Sequence, residues 1–121
     1  MFDVDKITKF IAVHAKWKHQ LKTAIDTAQS DRNVNDVAAD DGCEFGIWLL
    51  SLPKQDQSTA HWQKVRALHA EFHKSAAEVL AMALAGKKEE ATAEMAFGGN
   101  FAKVSANLTV AMTEWRKSLQ S

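Results

Sequence analysis

Hydrophobic side chains recur every three or four residues through most of this chain, and few glycines or prolines interrupt them. That spacing is typical of amphipathic helices, which turn one apolar face toward a core. No stretch sustains the two-residue alternation, rich in β-branched side chains, that indicates a strand. The pattern therefore predicts an all-α fold.

The first predicted helix spans about residues 5–29, and a polar connection follows it over residues 30–36. Its inward face consists of Ile7, Ile11, His14, Leu21, Ile25 and Ala28, with Phe10 and Trp17 beside it. A shorter second helix is predicted to begin near Asp40 or Asp41, since either side chain can cap a helix N-terminus. It carries Cys43, Phe45, Ile47, Trp48 and Leu50.

The third predicted helix spans about residues 59–85, after a loop over residues 51–58 that contains Pro53. Gly86 follows it as a natural C-cap. Its inner face consists of Trp62, Val65, His69, Phe72, Ala76, Val79 and either Met82 or Ala83.

The fourth predicted helix begins near Lys88 and contains two adjacent glycines, Gly98 and Gly99. Its apolar positions are Met95, Phe97, Phe101, Val104, Leu108, Ala111 and Trp115. Each glycine costs about 1 kcal/mol relative to alanine inside a helix, so the pair predicts a weakened or kinked segment. The alternative is a place where another backbone comes close. The pattern does not choose between the two.

Three long helices and one short helix that carries the cysteine predict a four-helix bundle. The 121 residues are predicted to form a single domain, residues 1–121. A chain of this length can bury an apolar core without disulfides or metal. A metal site would therefore not be needed for the fold.

Charge and composition exclude some functions. The 15 basic and 15 acidic side chains cancel, so the chain lacks the positive field expected of a nucleic-acid-binding protein. The N-terminal segment does not resemble a signal peptide, and no run approaches the ~18 apolar residues of a membrane span. We therefore expect a cytoplasmic protein that does not bind membranes. Its single cysteine cannot close an intramolecular disulfide.

Three histidines and the cysteine fall on faces that are predicted to point inward. His69 and His73 are four residues apart, so both imidazoles project from one helix face and can hold one ion. His14 faces the same core, and Cys43 lies in a helix first turn, where the dipole favours a thiolate. Three imidazoles and a thiolate form a closed four-ligand set that suits Zn²⁺, although copper could compete.

Plainer explanations exist for each of these side chains. Histidine pairs on helices are often hydrogen-bonded core or surface features, and a lone cysteine near an N-cap is usually an inert small hydrophobe. His61 lies about 12 Å from His69 along the helix axis, and His19 lies off the stripe, so both are predicted to face solvent. Trp17 and Trp48 are predicted to exclude water from the site.

Three segments resemble the motifs of the chemoreceptor zinc-binding (CZB) domain family. Residues 14–21, HAKWKHQL, resemble its first-helix motif of a histidine followed by Trp-Lys and a leucine. Residues 43–49, CEFGIWL, resemble its Cys-x-Leu-Gly-x-Trp motif, and residues 68–73, LHAEFH, resemble its His-x-x-x-His pair. The resemblance covers roughly residues 10–115. Its visible departure is Phe45, where leucine is usual.

The resemblance implies a zinc ion held by His14, Cys43, His69 and His73. It also implies a cytoplasmic sensory module of bacterial signalling, linked to chemoreceptors or diguanylate cyclases and often homodimeric. Some members sense zinc, and some sense oxidants such as hypochlorous acid through the cysteine. The start at Met1 favours a stand-alone sensor over an excised piece. Such a sensor would act through a signalling partner or by buffering zinc.

Three other functions are conceivable for a chain of this composition. An enzyme with Cys43 as nucleophile lacks any residue that orients a base or forms an oxyanion hole, so we expect no catalysis. A haem-attachment motif is absent, and Glu71 and His73 are too close in sequence for a Glu-x-x-His di-iron pair. A metal-free helical dimerisation or adaptor module remains the alternative.

Overall fold

The apolar stripes form helices that pack around a shared core. The computed structural model describes residues 4–29, 34, 37 and 44–120. Its helices are α1 (Val4–Thr27), α2 (Glu44–Ser51), α3 (Lys54–Gln57), α4 (Ala60–Leu84), α5 (Lys88–Met95) and α6 (Asn100–Gln120). These described residues contain no strand, which confirms the predicted all-α fold.

Three long helices form the body of the bundle. Helix α4 packs against both α1 and α6, and α1 packs against α6. The short helix α2 lies against α4, where the indole Nε1 of Trp62 donates a hydrogen bond of 3.0 Å to the Leu49 carbonyl oxygen. The predicted helical bundle is confirmed, and the described residues add two further short helices, α3 and α5. None of the helices described here is both long and apolar enough to cross a membrane.

The predicted ends of the third helix are confirmed in α4. Thr59 is the N-cap, and its Oγ1 accepts a hydrogen bond of 3.2 Å from the backbone N–H of Trp62. At the other end Gly86 has φ +78°, and the N–H of Lys87 donates back to the Met82 carbonyl oxygen at 2.9 Å. This left-handed glycine ends the helix because it lacks the Cβ that disfavours such a backbone.

The first helix ends earlier than the sequence predicted. Helix α1 stops at Thr27, and Ala28 has a left-handed φ of 57° and an exposed side chain. The prediction that Ala28 faces inward was therefore wrong, because the helical periodicity ends before it.

The predicted loop at residues 51–58 contains the single turn α3. Of the predicted connection at residues 30–36 the structure describes only Val34, which is helical and packs against the core. The predicted Asp40 or Asp41 cap and Cys43 lie outside the described residues.

The predicted fourth helix is divided into α5 and α6. Ala96 is extended, with φ −74° and ψ 161°, and Gly98 is left-handed, with φ +89°. A Cβ on Gly99 would collide with the carbonyl oxygens of Ala93 and Glu94. The glycines therefore provide both a break in the helix and a close approach of the chain to its own backbone. Phe97, one of the apolar positions of the predicted fourth helix, lies in this break and is fully exposed, so it is not part of a helix.

Candidate metal centre

Three imidazoles meet in the core of the bundle. His14 comes from α1, and His69 and His73 come from α4. Their exposed fractions are 5%, 1% and 1%, and one nitrogen from each ring lies within 4.8 Å of the other two. The sequence places them together because His14 interrupts the apolar stripe of α1, while His69 and His73 lie one turn apart on the inner face of α4.

Backbone carbonyls fix the orientation of two of these rings. His14 Nδ1 lies 2.8 Å from the Phe10 carbonyl oxygen, and His73 Nδ1 lies 2.8 Å from the Val37 carbonyl oxygen. A carbonyl oxygen only accepts, so each Nδ1 must carry the proton and donate it. The Nε2 atom of each neutral ring then carries a lone pair. Orientation of this kind is typical of histidines that bind metals.

The third ring completes the arrangement. His69 Nε2 lies 3.0 Å from His73 Nε2. Because His73 Nε2 carries a lone pair, the proton between the two nitrogens belongs to His69, which donates it. For all three Nε2 atoms to bind one cation, His69 must lose this proton or move it to Nδ1. The other two rings already present lone pairs.

Burial keeps two of these imidazoles, those of His14 and His69, neutral. Desolvation lowers the pKa of His14 to about 4, opposed by its hydrogen bond to Phe10 and reinforced by His73. Desolvation also lowers the pKa of His69 to about 2, with further contributions from His73, His14 and Arg66. The neutral ring is the form that binds a metal, so neither ring has to lose a positive charge before it binds an ion near neutral pH.

One buried atom indicates that the cluster fits a cation. His14 Nε2 is buried, and within the described part of the chain it has no hydrogen-bond partner. A buried acceptor without a partner costs about 1–3 kcal/mol, so its retention calls for an explanation. A tetrahedral zinc ion with Zn–N bonds of about 2.0 Å requires nitrogens about 3.3 Å apart. The Nε2 atoms of His69 and His73, 3.0 Å apart, already lie near this spacing, so a small adjustment of the rings would provide it.

Aromatic side chains enclose the imidazoles. Phe45 on α2 lies with its ring centroid 5.4 Å from that of His14 and 4.9 Å from that of His69. Phe72 lies 5.1 Å from His14, and Trp17 lies 6.0 Å from His73, measured in the same way. We call Trp17, Phe45 and Phe72 the aromatic wall. It keeps water from the polar cluster and lowers the local dielectric constant.

The structure describes three of the four predicted ligands. His14, His69 and His73 lie together, whereas Cys43 lies outside the described residues and stays a prediction. Glu44, the next residue, begins α2, the helix that places Phe45 against His14 and His69. Of the two histidines predicted to face solvent, His19 is exposed and His61 is half-buried. Neither belongs to the cluster of three.

Sequence reasoning missed several groups that support the cluster. Helical geometry places the Phe10 carbonyl four residues before His14, so that hydrogen bond could have been anticipated. The carbonyl of Val37 lies 36 residues from His73 and carries no side-chain signal. Phe72 was predicted only as a core residue, although it also contacts His14 and His73.

We expect the metal-free protein to lose stability as the pH falls from about 6.5 to about 4. In this range His14 and His69 bind protons in the unfolded chain, whereas the folded chain keeps them neutral. The unfolded state thus binds more protons, and the free energy of unfolding falls by at most about 1.4 kcal/mol per pH unit for each histidine. Urea denaturation of chelator-treated protein across this range measures the slope.

Two variants separate these histidines from other titrating groups. His69→Leu removes one buried titrating ring and should reduce the slope, whereas Met112→Leu changes a buried side chain that does not titrate and should leave it unchanged. A His69→Leu slope equal to that of the original protein would contradict the assignment.

Comparison with known proteins agrees with this geometry. Residues 14–80, more than half of the chain, match the family model described as the chemoreceptor zinc-binding domain. The matched segment begins at His14 and contains His69 and His73. Neither the curated proteins nor the solved structures gave a match. The match and the three-histidine cluster together show that this chain belongs to the chemoreceptor zinc-binding (CZB) domain family.

Proposed function

We propose that this protein is a zinc-binding sensory domain of bacterial signalling and not an enzyme. One zinc ion would be held by His14, Cys43, His69 and His73. The observation that carries the proposal is the convergence of three buried imidazoles, two of which direct lone pairs into the cluster through backbone hydrogen bonds. Membership of a zinc-binding family supports zinc as the ion.

The donor set favours a closed structural or sensory centre over a catalytic one. Zinc accepts mixed nitrogen and sulfur ligands in a tetrahedral arrangement, and four protein ligands leave no position for a substrate or a reactive water. The low exposure of the three imidazoles supports the same role, because a substrate would need access to the ion. Copper(II) binds similar donors more tightly, so a selectivity measurement should include it.

Ligands from separate elements allow zinc occupancy to alter the bundle. His14 lies on α1, His69 and His73 lie on α4, and Cys43 directly precedes α2 in the chain. Binding one ion would therefore hold three parts of the chain in a fixed relation. A ligand that binds one arrangement better than another shifts the population toward it, and this difference is what a sensor reports.

The cysteine gives the proposed centre a second input. A thiolate reacts with hypochlorous acid to give a sulfenic acid and chloride, so that sulfur loses two electrons and chlorine gains them. A sulfenic acid is a weaker zinc ligand than a thiolate. Oxidation of Cys43 would leave three imidazoles and loosen the link between the centre and α2. Zinc and oxidant would then act on the same helix.

The signal must pass to another protein. By analogy with its family we propose that the domain acts as a homodimer in the cytoplasm and serves a chemoreceptor or diguanylate cyclase pathway. Zinc buffering without a signalling partner is the simpler alternative, and only binding and response assays in cells would separate the two.

Purified protein should contain about one zinc ion per chain, because the donor set has four members. We expect His14→Gln, His69→Gln, His73→Gln and Cys43→Ser each to reduce the content strongly. His19→Gln and His61→Gln should retain it, since neither ring belongs to the cluster. Plasma emission spectrometry measures the metal. Zinc retained at full stoichiometry in the cluster variants would contradict the proposal.

Hypochlorous acid should release zinc from the original protein in proportion to oxidation of Cys43. The test variant must still bind zinc, so Cys43→Asp, which replaces the thiolate by a carboxylate ligand, is preferable to serine. We expect this variant to release little zinc at equimolar oxidant. Zinc release is followed with a chromogenic chelator, and oxidation is followed by mass spectrometry. Equal release from both proteins would exclude Cys43 as the oxidant-sensitive group.

A further inference from the structure

The aromatic wall is built from two kinds of element. Trp17 and Phe72 belong to the long helices α1 and α4, and Phe72 also packs against Phe101 of α6, with ring centroids 5.3 Å apart. Phe45 belongs to the eight-residue helix α2. Moving Trp17 or Phe72 would disturb the body of the bundle. Moving Phe45 would shift the short helix α2 and the contacts that this ring makes with α1 and α4.

Phe45 makes direct contact with two of the three imidazoles. Its side chain is 1% exposed, and its ring stands nearly perpendicular to those of His14 and His69, at interplanar angles of 80° and 82°. No polar atom is available on this side chain to bind the ion. Its contribution to the centre is therefore to exclude water and to hold the imidazoles in position.

Solvent comes close to the outer side of this ring. A surface cavity of about 310 Å³ lies between α1 and α2, and its lining includes Phe10 and Trp48. Both side chains contact Phe45, with ring centroids 5.1 Å and 5.8 Å from that of Phe45. A path from the cavity to His14 and His69 thus crosses the layer formed by these aromatic rings.

Helix α2 packs on the bundle through Phe45, Gly46 and Leu49, which are buried. The indole of Trp62 donates to the Leu49 carbonyl oxygen at 3.0 Å, and Lys9 and Glu44 form an exposed ion pair at 3.9 Å, which contributes little to stability. Isolated helices shorter than about 12 residues are marginal in water. We expect α2 to open locally more often than the whole bundle unfolds.

We propose that Phe45 is a positioning residue that closes the metal centre and sets the rate at which a bound ion exchanges with solvent. The inference rests on the proposed zinc function and deepens it. Displacement of Phe45 together with α2 is the step that limits both release of the ion and entry of a competing chelator. An input that loosens α2 would therefore speed zinc exchange before the bundle itself unfolds.

The experiment measures zinc transfer from loaded protein to an excess of 4-(2-pyridylazo)resorcinol. Phe45→Leu shortens the side chain beside the imidazoles, and we expect the first-order release rate to rise about tenfold while the zinc content stays near one per chain. Phe101→Leu is the matched control, since Phe101 is also fully buried and has Phe72 rather than a cluster histidine as its aromatic neighbour. Its release rate should stay within about twofold of the original.

Hydrogen exchange of the α2 amides, measured in the loaded proteins, is the second readout. It should accelerate in Phe45→Leu and stay unchanged in Phe101→Leu. Phe45→Met keeps most of the side-chain volume and should restore slow release. Phe45→Ile, which also shortens the side chain, replaces Phe45→Leu if that variant does not fold.

The possible results separate this inference from the function on which it rests. Equal release rates in Phe45→Leu and Phe101→Leu, with zinc bound in both, would overturn the role of Phe45 and leave the zinc site intact. A folded Phe45 variant that binds no zinc would also overturn it, because Phe45 would then determine affinity. Absence of zinc from the original protein would instead overturn the proposed function.

Discussion

The structure depends on placing three imidazole rings inside an apolar core. Each ring brings two nitrogens that lose contact with water. The free-energy cost of this desolvation is offset only if those nitrogens form hydrogen bonds or bind an ion. The carbonyl oxygens of Phe10 and Val37 satisfy one nitrogen each on His14 and His73. One nitrogen from each of the three rings lies within 4.8 Å of the other two, and the buried Nε2 of His14 has no hydrogen-bond partner in the described part of the chain. A cation would satisfy this arrangement.

The surrounding helices follow from the same requirement. Helix α4 supplies two rings one turn apart, and its ends are fixed by the Thr59 cap and the left-handed Gly86. Helix α1 supplies the third ring, and α2 supplies an aromatic side chain on the side nearest solvent. The long helices give the centre a rigid base, whereas α2 gives it an element that can move. A sensor needs both, because a site that is rigid on every side has no second arrangement to report.

Much of this arrangement could be predicted because it is local. The spacing of His69 and His73, the interruption of an apolar stripe by His14, and the helix ends near Thr59 and Gly86 are set by neighbours within one or two turns. The missed features depend on the chain around them. Phe97 continues the apolar periodicity but falls in a break that the adjacent glycines create, so it is exposed. The contact between His73 and the Val37 carbonyl joins distant segments, and a backbone oxygen has no signature in sequence.

Zinc K-edge X-ray absorption of the loaded protein tests the central claim most directly, because it reports which atoms bind the ion. A single closed centre predicts three nitrogen ligands at about 2.0 Å and one sulfur ligand at about 2.3 Å, with the multiple scattering of imidazole rings. If the sulfur contribution disappears from the spectrum of Cys43→Ser, the sulfur ligand is Cys43. A spectrum of the original protein with five or six oxygen and nitrogen ligands and no sulfur would contradict the account.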